Sequence, residues 1–143
     1  MECIACDVNA GRVQSPGGVI YQDGHWIADH GIDRLVRAYV VLKLLRHVHE
    51  LADLSPDEAA TLGNALRVVL SAMRTALQPE RTYVCSFAET VHHLHFHLLP
   101  RYADMPALGP NLLADLFAER WGCSREEAEA AAGRIRSAIR PAS

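Results

Sequence analysis

Residues 92–101 read HHLHFHLLPR, and they hold four of the eight histidines in the chain. From His93 onward a histidine alternates with an apolar residue. This is the pattern of a β-strand, because successive side chains of a strand point to opposite faces. We therefore expect one apolar face on the core and one face that carries His93, His95 and His97. His92 falls outside the alternation and is interpreted as a structural residue at the start of the strand.

The histidine face allows three interpretations. It is a solvent-exposed strand face, a catalytic metal site, or a site of phosphate chemistry. On a solvent-exposed face, Thr, Lys or Glu would be the ordinary residues. A metal would take two strand histidines and a third ligand elsewhere, whereas phosphate chemistry would use a neutral imidazole as the nucleophile. Residues two apart on a strand lie about 7 Å apart at Cα, so three of them hardly reach one zinc ion. A metal at one end of the row and substrate at the other end fit this spacing better.

The N-terminal segment MECIAC carries a C-x-x-C pair, Cys3 and Cys6. Only two residues precede it, which disfavours a thioredoxin-like redox motif, because that motif needs a strand before it. Half of a zinc site is the better interpretation. His93 and either His47 or His49 would complete a set of two thiolates and two imidazoles. Four protein ligands leave no open coordination position, so such a zinc would be structural.

The remaining sequence predicts an α+β domain with a mainly antiparallel sheet of about five strands. Strand patterns occupy residues 18–23, 25–28, 39–45 and 82–87, in addition to the histidine strand. One long helix is predicted from a cap at Ser55 to Leu77, because Pro79 follows. Helices are also expected over 111–121 and after Ser124. We expect residues 1–103 to form the main domain and residues 104–143 a helical extension packed on it.

Composition limits the classes of partner. The chain has 143 residues and a formal net charge of -3, which suits one globular domain and disfavours binding to a nucleic acid polymer. No apolar run approaches the roughly 20 residues of a membrane span, so no membrane association is expected. The N-terminus lacks the basic and apolar regions of a signal peptide. A cytoplasmic location with reduced thiols is therefore the expectation.

Residues 93–99, HLHFHLL, resemble the His-φ-His-φ-His-φ-φ signature of the histidine triad (HIT) superfamily of nucleotidyl hydrolases and transferases. The resemblance extends over residues 1–102, where a C-x-x-C pair, a hairpin, a central strand ending in a histidine, a long helix and the triad follow in the family's order. It is closest to the zinc-containing branch. The resemblance implies a HIT-like fold, a small nucleotide substrate, a structural zinc cofactor and a homodimer.

The resemblance also implies a mechanism. His95 would attack the α-phosphorus of a nucleotide ester, anhydride or phosphoramidate and form a covalent nucleotidyl-imidazole, which water or another acceptor resolves. The carbonyl of His93 would hold the proton on the far nitrogen of His95. His97 would donate to a phosphate oxygen or to the leaving group, and Thr90 would contact phosphate.

For the metal, the resemblance favours His47 over His49, with Cys3, Cys6 and His93 as the other ligands. For the substrate, Trp26 lies on the hairpin where the family holds the base, and it is a candidate stacking residue. Asp29 lies near the usual ribose-binding aspartate, and Arg101 is a candidate phosphate contact.

Several positions depart from the family pattern. The family's Gly-Gln-Ser/Thr segment is replaced by Ala88-Glu89-Thr90, and a glutamate there disfavours phosphate unless it is paired, protonated or turned away. Gly31 stands where the ribose-binding aspartate is usual, with Asp33 nearby, and the Gly-His of the central strand appears as Ala38-Tyr39. An alternative function is therefore a nucleotide-binding regulatory protein with weak or no catalysis. In the tail, aromatic residues are expected to anchor the core or an interface, namely Phe117 and Trp121.

Overall fold

The computed structural model describes residues 2–32, 36–118 and 120–140. These residues form four α-helices and one five-stranded sheet in which all neighbouring strands are antiparallel. In chain order the elements are α1 (Ile4–Asn9), β1 (Val19–Gln22), β2 (Trp26–His30), β3 (Val40–Leu44), α2 (Pro56–Leu77), β4 (Arg81–Cys85), β5 (His95–Arg101), α3 (Pro110–Phe117) and α4 (Arg125–Ala138), with a 3-10 turn at Leu51–Asp53. The predicted α+β class with one mainly antiparallel sheet is confirmed.

The sheet order β1-β2-β3-β5-β4 places the histidine strand β5 between β3 and β4. Its register sets Lys43 opposite His95 and Val41 opposite His97. On the other side, Cys85 of β4 lies opposite His97. His97 therefore has a strand on each side, whereas His95, at the start of β5, pairs with β3 alone.

The alternation of side chains along β5 is confirmed with one correction. Leu94, Phe96 and Leu98 point into the main core with residues of α2 and α4. The strand begins at His95, however, so His93 lies in the connection that precedes it rather than on the strand. His93 is held there because the backbone of Leu94 bonds both Val48 and Leu44.

The histidine face of the sheet is covered rather than exposed to solvent. A second apolar cluster packs on this face and includes Leu99 of β5 and Leu112 and Leu116 of α3. His95 and His97 are each only 9% exposed. The interpretation of this face as a solvent-facing strand surface is therefore wrong.

The helices follow the predicted caps better than the predicted lengths. Ser55 and Ser124 each form a capping box, at the starts of α2 and α4. The predicted helix over 111–121 ends earlier, at Phe117, and α1 was not anticipated, because six residues are too few for helical periodicity to be read. Within the described residues, no helix combines the length and apolarity that a membrane crossing needs.

The start of α2 is tied to the end of the central strand by one buried carboxylate. Glu58 is 5% exposed, and its two oxygens accept from Arg46 Nε at 2.8 Å and Nη2 at 2.9 Å. The same carboxylate accepts from the backbone of Ser55 at 2.8 Å. The Arg46 hydrogen bonds, followed by the Ser55 backbone bond, lower the pKa of Glu58 to about 2. This carboxylate therefore joins the helix cap to the strand that precedes it.

We predict that Glu58→Gln lowers the free energy of unfolding at neutral pH by about 1–2 kcal/mol, because the cap and the charged pair with Arg46 are weakened. The folded pKa of about 2 lies below the unfolded value of 4.5. The contribution of Glu58 is therefore complete above pH about 4.5 and is lost as the pH falls toward 2. Urea denaturation over this range should show the wild-type and variant stabilities converging. Asp57→Asn, at an exposed position of the same turn, should show a smaller difference.

Candidate metal centre and histidine site

Four side chains from three parts of the chain meet beside the start of β5. They are Cys3 and Cys6 from the N-terminal segment, His47 from the loop after β3, and His93, and their ligand atoms all lie within 4.8 Å of one another. The cysteines lie one turn apart at the start of α1, which brings both sulfurs to the same side. The ligand set predicted from the sequence is therefore brought together.

The spacing of these atoms fits a tetrahedral zinc. Zn–S bonds near 2.3 Å and Zn–N bonds near 2.0–2.1 Å put two nitrogens about 3.3 Å apart and a nitrogen and a sulfur about 3.6 Å apart. The two Nδ1 atoms of His47 and His93 are 3.2 Å apart. Nδ1 of His93 lies 3.7 Å from Sγ of Cys3 and 3.5 Å from Sγ of Cys6. The chemistry and the distances of the donors thus both suit zinc.

The protonation states of the ligands are also set by their surroundings. The Nε2 of His93 lies 2.7 Å from the carbonyl of Leu44 and donates to it, which leaves Nδ1 free to bind a metal. Burial, together with the nearby positive charges, lowers the pKa of His93 and favours the neutral ring. Burial and the neighbouring Cys3 raise the pKa of the Cys6 thiol. Metal binding must therefore displace a proton there and weakens as the pH falls.

His47 rather than His49 belongs to this cluster. The His49 ring instead packs against His47 at 5.4 Å and against His92 at 5.9 Å between centroids. His92 is exposed, and it takes no part in the four-residue group. These two histidines form a layer outside the metal ligands.

The backbone carbonyl of His93 fixes the next histidine of the row. It lies 2.5 Å from Nδ1 of His95, which donates to it. The Nε2 of His95 consequently carries no proton in the neutral ring and presents a lone pair. The carbonyl of His95 accepts from Ser86 Oγ at 2.7 Å, so both the ring and the backbone of this residue are oriented.

His97 is oriented by a residue that the sequence interpretation gave no role. The hydroxyl of Tyr39 forms a hydrogen bond with Nδ1 of His97, and the two rings stack with centroids 5.5 Å apart. Tyr39 is 2% exposed. A Cβ at Gly31 would overlap the Tyr39 ring, so the glycine in place of the usual ribose-binding aspartate makes room for the tyrosine. The sequence signal for this contact was that Gly31 and Tyr39 both depart from the family pattern.

Two cavities meet at His95 and His97. The first, of about 90 Å³, lies toward α1 and β2 and has mainly apolar walls. Its polar element is an ion pair in which Lys43 Nζ lies 2.6 Å from Asp29 Oδ2. Burial raises the pKa of Asp29 and lowers that of Lys43, and each partner's charge opposes the other's shift. Lys43, which the sequence did not identify as a site residue, lies directly opposite His95 on the neighbouring strand β3.

The second cavity, of about 180 Å³, lies under the loop that precedes β5. Thr90 and Glu89 line it together with both histidines. Phe87 and Phe117 supply aromatic walls. Phe117 therefore contacts the site, with its centroid 5.4 Å from that of His97, in addition to joining the apolar cluster.

Two alanines that stand in place of family glycines both have left-handed backbone. The φ angles are 57° at Ala38 and 54° at Ala88. Such a conformation costs about 1–2 kcal/mol for a residue with a Cβ. Both positions therefore hold a backbone conformation that glycine adopts more easily than alanine.

Two predicted substrate contacts are corrected. Trp26 is fully buried in the main core, and its Nε1 donates to Thr61 Oγ1 at 3.0 Å, so it has no free face on which a base can stack. Arg101 lies at the opposite end of β5 from His95, about 20 Å away at 3.3 Å per residue. Asp33 lies outside the described residues.

The chain was compared with known proteins. The family model for the HIT domain matches residues 12–104. An uncharacterised HIT-like protein of Mycobacterium tuberculosis is 28% identical over 105 residues, which cover 70% of this chain and 72% of that protein. A zinc-bound histidine triad family protein from Mycobacterium smegmatis superposes with a TM-score of 0.71 at 21% identity and covers 96% of this chain and 93% of its own. A hypothetical histidine triad nucleotide-binding protein from Sulfolobus tokodaii gives 0.75 at 17% identity, with 96% and 91% covered.

We predict that the double variant Cys3→Ala/Cys6→Ala loses bound zinc and unfolds on the order of 10 °C lower, because binding to the folded state adds about 4 kcal/mol at a thousandfold excess over Kd. Metal analysis and thermal unfolding measure both effects. Cys123→Ala removes a thiol outside the cluster and should keep the metal. His95→Ala should also keep it, and loss of zinc in that variant would instead indicate a metal held by the histidine row.

We predict that Gly31→Ala destabilises the protein by about 1–3 kcal/mol, because the added methyl must displace the Tyr39 ring from His97. Gly63→Ala is the matched control. Gly63 is exposed in α2 with no atom near its missing Cβ, so the same substitution there should stabilise by up to about 1 kcal/mol. Denaturant unfolding of both variants measures the contrast, and equal effects would contradict the role given to Gly31.

Proposed function

The chain belongs to the HIT domain family, and from this premise we propose that it is a nucleotidyl hydrolase or transferase that forms a covalent intermediate on His95. Its substrate is a small nucleotide whose α-phosphate carries an ester, anhydride or phosphoramidate bond. The family supplies the class of reaction. The roles of the residues follow from their surroundings.

The observation that carries the proposal is the hydrogen bond from Nδ1 of His95 to the carbonyl of His93. It fixes the tautomer, so that the neutral ring has its lone pair on Nε2, and this is the form that acts as a nucleophile. His95 lines both cavities. A phosphate placed where the cavities meet is therefore within reach of that nitrogen.

In the first step Nε2 of His95 forms a bond to phosphorus, and the bond from phosphorus to the leaving atom breaks. The leaving atom takes the bonding electron pair and receives a proton from Nε2 of His97. His97 donates from its protonated form, in which both ring nitrogens carry a hydrogen and Nδ1 donates to the hydroxyl oxygen of Tyr39. Loss of the Nε2 proton then leaves a neutral ring. In the second step water attacks phosphorus, the bond to His95 breaks, and the proton of water returns to His97.

Hydrogen-bonding groups and shape support the placement of the nucleotide. Lys43 lies opposite His95 on the neighbouring strand and is paired with Asp29 at 2.6 Å, so in this proposal it offers the phosphate a hydrogen-bond donor rather than an unpaired positive charge. The first cavity, with Asp29 on its wall, takes the nucleoside in this proposal. Its walls are mainly apolar, which suits a base.

The proposal includes a structural zinc held by Cys3, Cys6, His47 and His93. All four ligands come from the protein, so the metal supplies a fixed tether rather than a reactive position. The tether holds α1 against the start of β5. The position of the His93 carbonyl, and with it the orientation of His95, depends on that anchoring.

A second candidate is a nucleotide-binding protein without effective catalysis, and the observation that favours it is Glu89. A carboxylate on the wall of the cavity shared by His95 and His97 opposes a phosphate anion in the transition state. This candidate predicts binding of a nucleoside monophosphate with no covalent adduct. The test of His95 separates the two candidates.

We predict that His95→Ala lowers kcat/KM toward a nucleoside 5'-phosphoramidate by at least about 10³-fold, because no other group in the site takes over the attack. Rapid quenching in denaturant followed by intact-mass measurement should detect a nucleotidyl adduct on the wild type and none on the variant. His92→Ala, which removes an exposed histidine, should retain activity. Wild-type protein that binds nucleotide but shows neither turnover nor adduct would support the second candidate.

A further inference from the structure

The second cavity contains a set of groups that attack on phosphorus does not require. Phe87 and Glu89 come from the loop before β5, and Phe117 comes from the end of α3. The three side chains are grouped on the side of the His95 and His97 pair that faces away from Asp29 and Lys43. They therefore face a different part of the substrate from the part that occupies the first cavity.

The aromatic walls enclose the face of His97. Phe87 lies 5.9 Å from His97 and 5.9 Å from Phe117 between ring centroids, and Phe117 lies 5.4 Å from His97. Phe87 is nevertheless 53% exposed, so a large apolar surface remains open at the mouth of this cavity. Aromatic faces of this kind attract cations that come within about 6 Å of the ring centre.

The charge of the cavity is negative. Glu89 is exposed, and across the described residues it forms no ion pair. Apart from the two imidazoles, the other described residues that line the cavity are uncharged. A carboxylate beside aromatic rings attracts an ammonium group and repels a phosphate or a carboxylate.

The reaction assigns an occupant to this cavity. Nucleophile and leaving group lie on opposite sides of phosphorus in an in-line displacement, and His97 protonates the atom that departs. Phe87 and Phe117 both contact the ring of His97. With the nucleoside in the first cavity, the group released next to His97 emerges between these two aromatic rings and passes Glu89.

We propose that the second cavity is a leaving-group site that selects a positively charged amine, so that the preferred substrate is a nucleoside phosphoramidate whose amine part carries a further ammonium group. This assignment rests on the proposed function. The P–N bond breaks as the bond from Nε2 of His95 to phosphorus forms. The amine nitrogen keeps the electron pair and takes the proton of His97. Glu89 then pairs with the distant ammonium group and does not face the phosphate.

Three matched substrates test the assignment. Each is an adenosine 5'-phosphoramidate of a three-carbon amine, and the chains end in an ammonium, a hydroxyl or a carboxylate group. We expect kcat/KM of the wild type to fall in that order, by about 5-fold at each step, as one charge interaction near an exposed carboxylate allows. Glu89→Gln should reduce the ammonium-to-carboxylate ratio at least about 5-fold, and Glu89→Lys should invert it.

Two further variants separate charge and aromatic effects from general damage. Glu126→Gln makes the same change of net charge at an exposed position of α4 that lines neither cavity, and it should leave the ratio unchanged. Phe87→Leu keeps an apolar side chain but removes the ring. It should lower turnover of the ammonium substrate relative to the hydroxyl substrate by about 2- to 5-fold.

The outcomes distinguish this assignment from the proposed function. Two kinetic results would overturn the leaving-group assignment alone. One is turnover of all three substrates at equal rates, and the other is the same ammonium-to-carboxylate ratio of kcat/KM in Glu89→Gln and Glu126→Gln. An adduct formed from a dinucleoside polyphosphate but from none of the phosphoramidates would do the same. Absence of any adduct on His95 from both classes of substrate would overturn the proposed function together with this assignment.

Discussion

The hydrogen bonds of a single residue, His93, connect the cysteine pair, the central strand and the ring of His95. Its Nδ1 lies among the sulfurs of the N-terminal segment, its Nε2 donates to Leu44, and its carbonyl accepts from His95. Each of these contacts uses a different group of the residue, so none competes with another. The orientation of the His95 ring is therefore linked through one residue to the segment that carries Cys3 and Cys6. This link joins the four-residue cluster and the row of histidines within one short stretch of sequence.

The departures of this chain from its family occur as compensating groups of residues. Loss of the aspartate at Gly31 opens the space that Tyr39 fills, and Tyr39 then bonds His97. Asp29 and Lys43 are both buried on one sheet face and neutralise each other at 2.6 Å. A lone charge at either position would be costly to bury. The site therefore differs from the family pattern without losing the geometry of its histidines.

The sequence predicted local features well and side-chain surroundings poorly. Alternation along HLHFHLL predicted which face of β5 packs in the main core, and the ligand types at Cys3, Cys6, His47 and His93 predicted the cluster. Trp26 was misplaced because a hairpin pattern does not show which face of the hairpin meets α2. Lys43 was missed because a lysine within an apolar strand pattern has no local signal. Its role depends on Asp29, fourteen residues earlier in the chain, and the pairing of β2 with β3 brings the two together.

The wall that Phe117 adds to the second cavity affects how substitutions can change the shape of that cavity. His95 and His97 lie on β5, whereas this wall comes from the segment after it, at the end of α3. Substitutions in that segment can change the shape of the cavity while the histidine strand, its register and its metal anchor stay the same. The shape of this cavity and the geometry of the two histidines can therefore vary independently of each other.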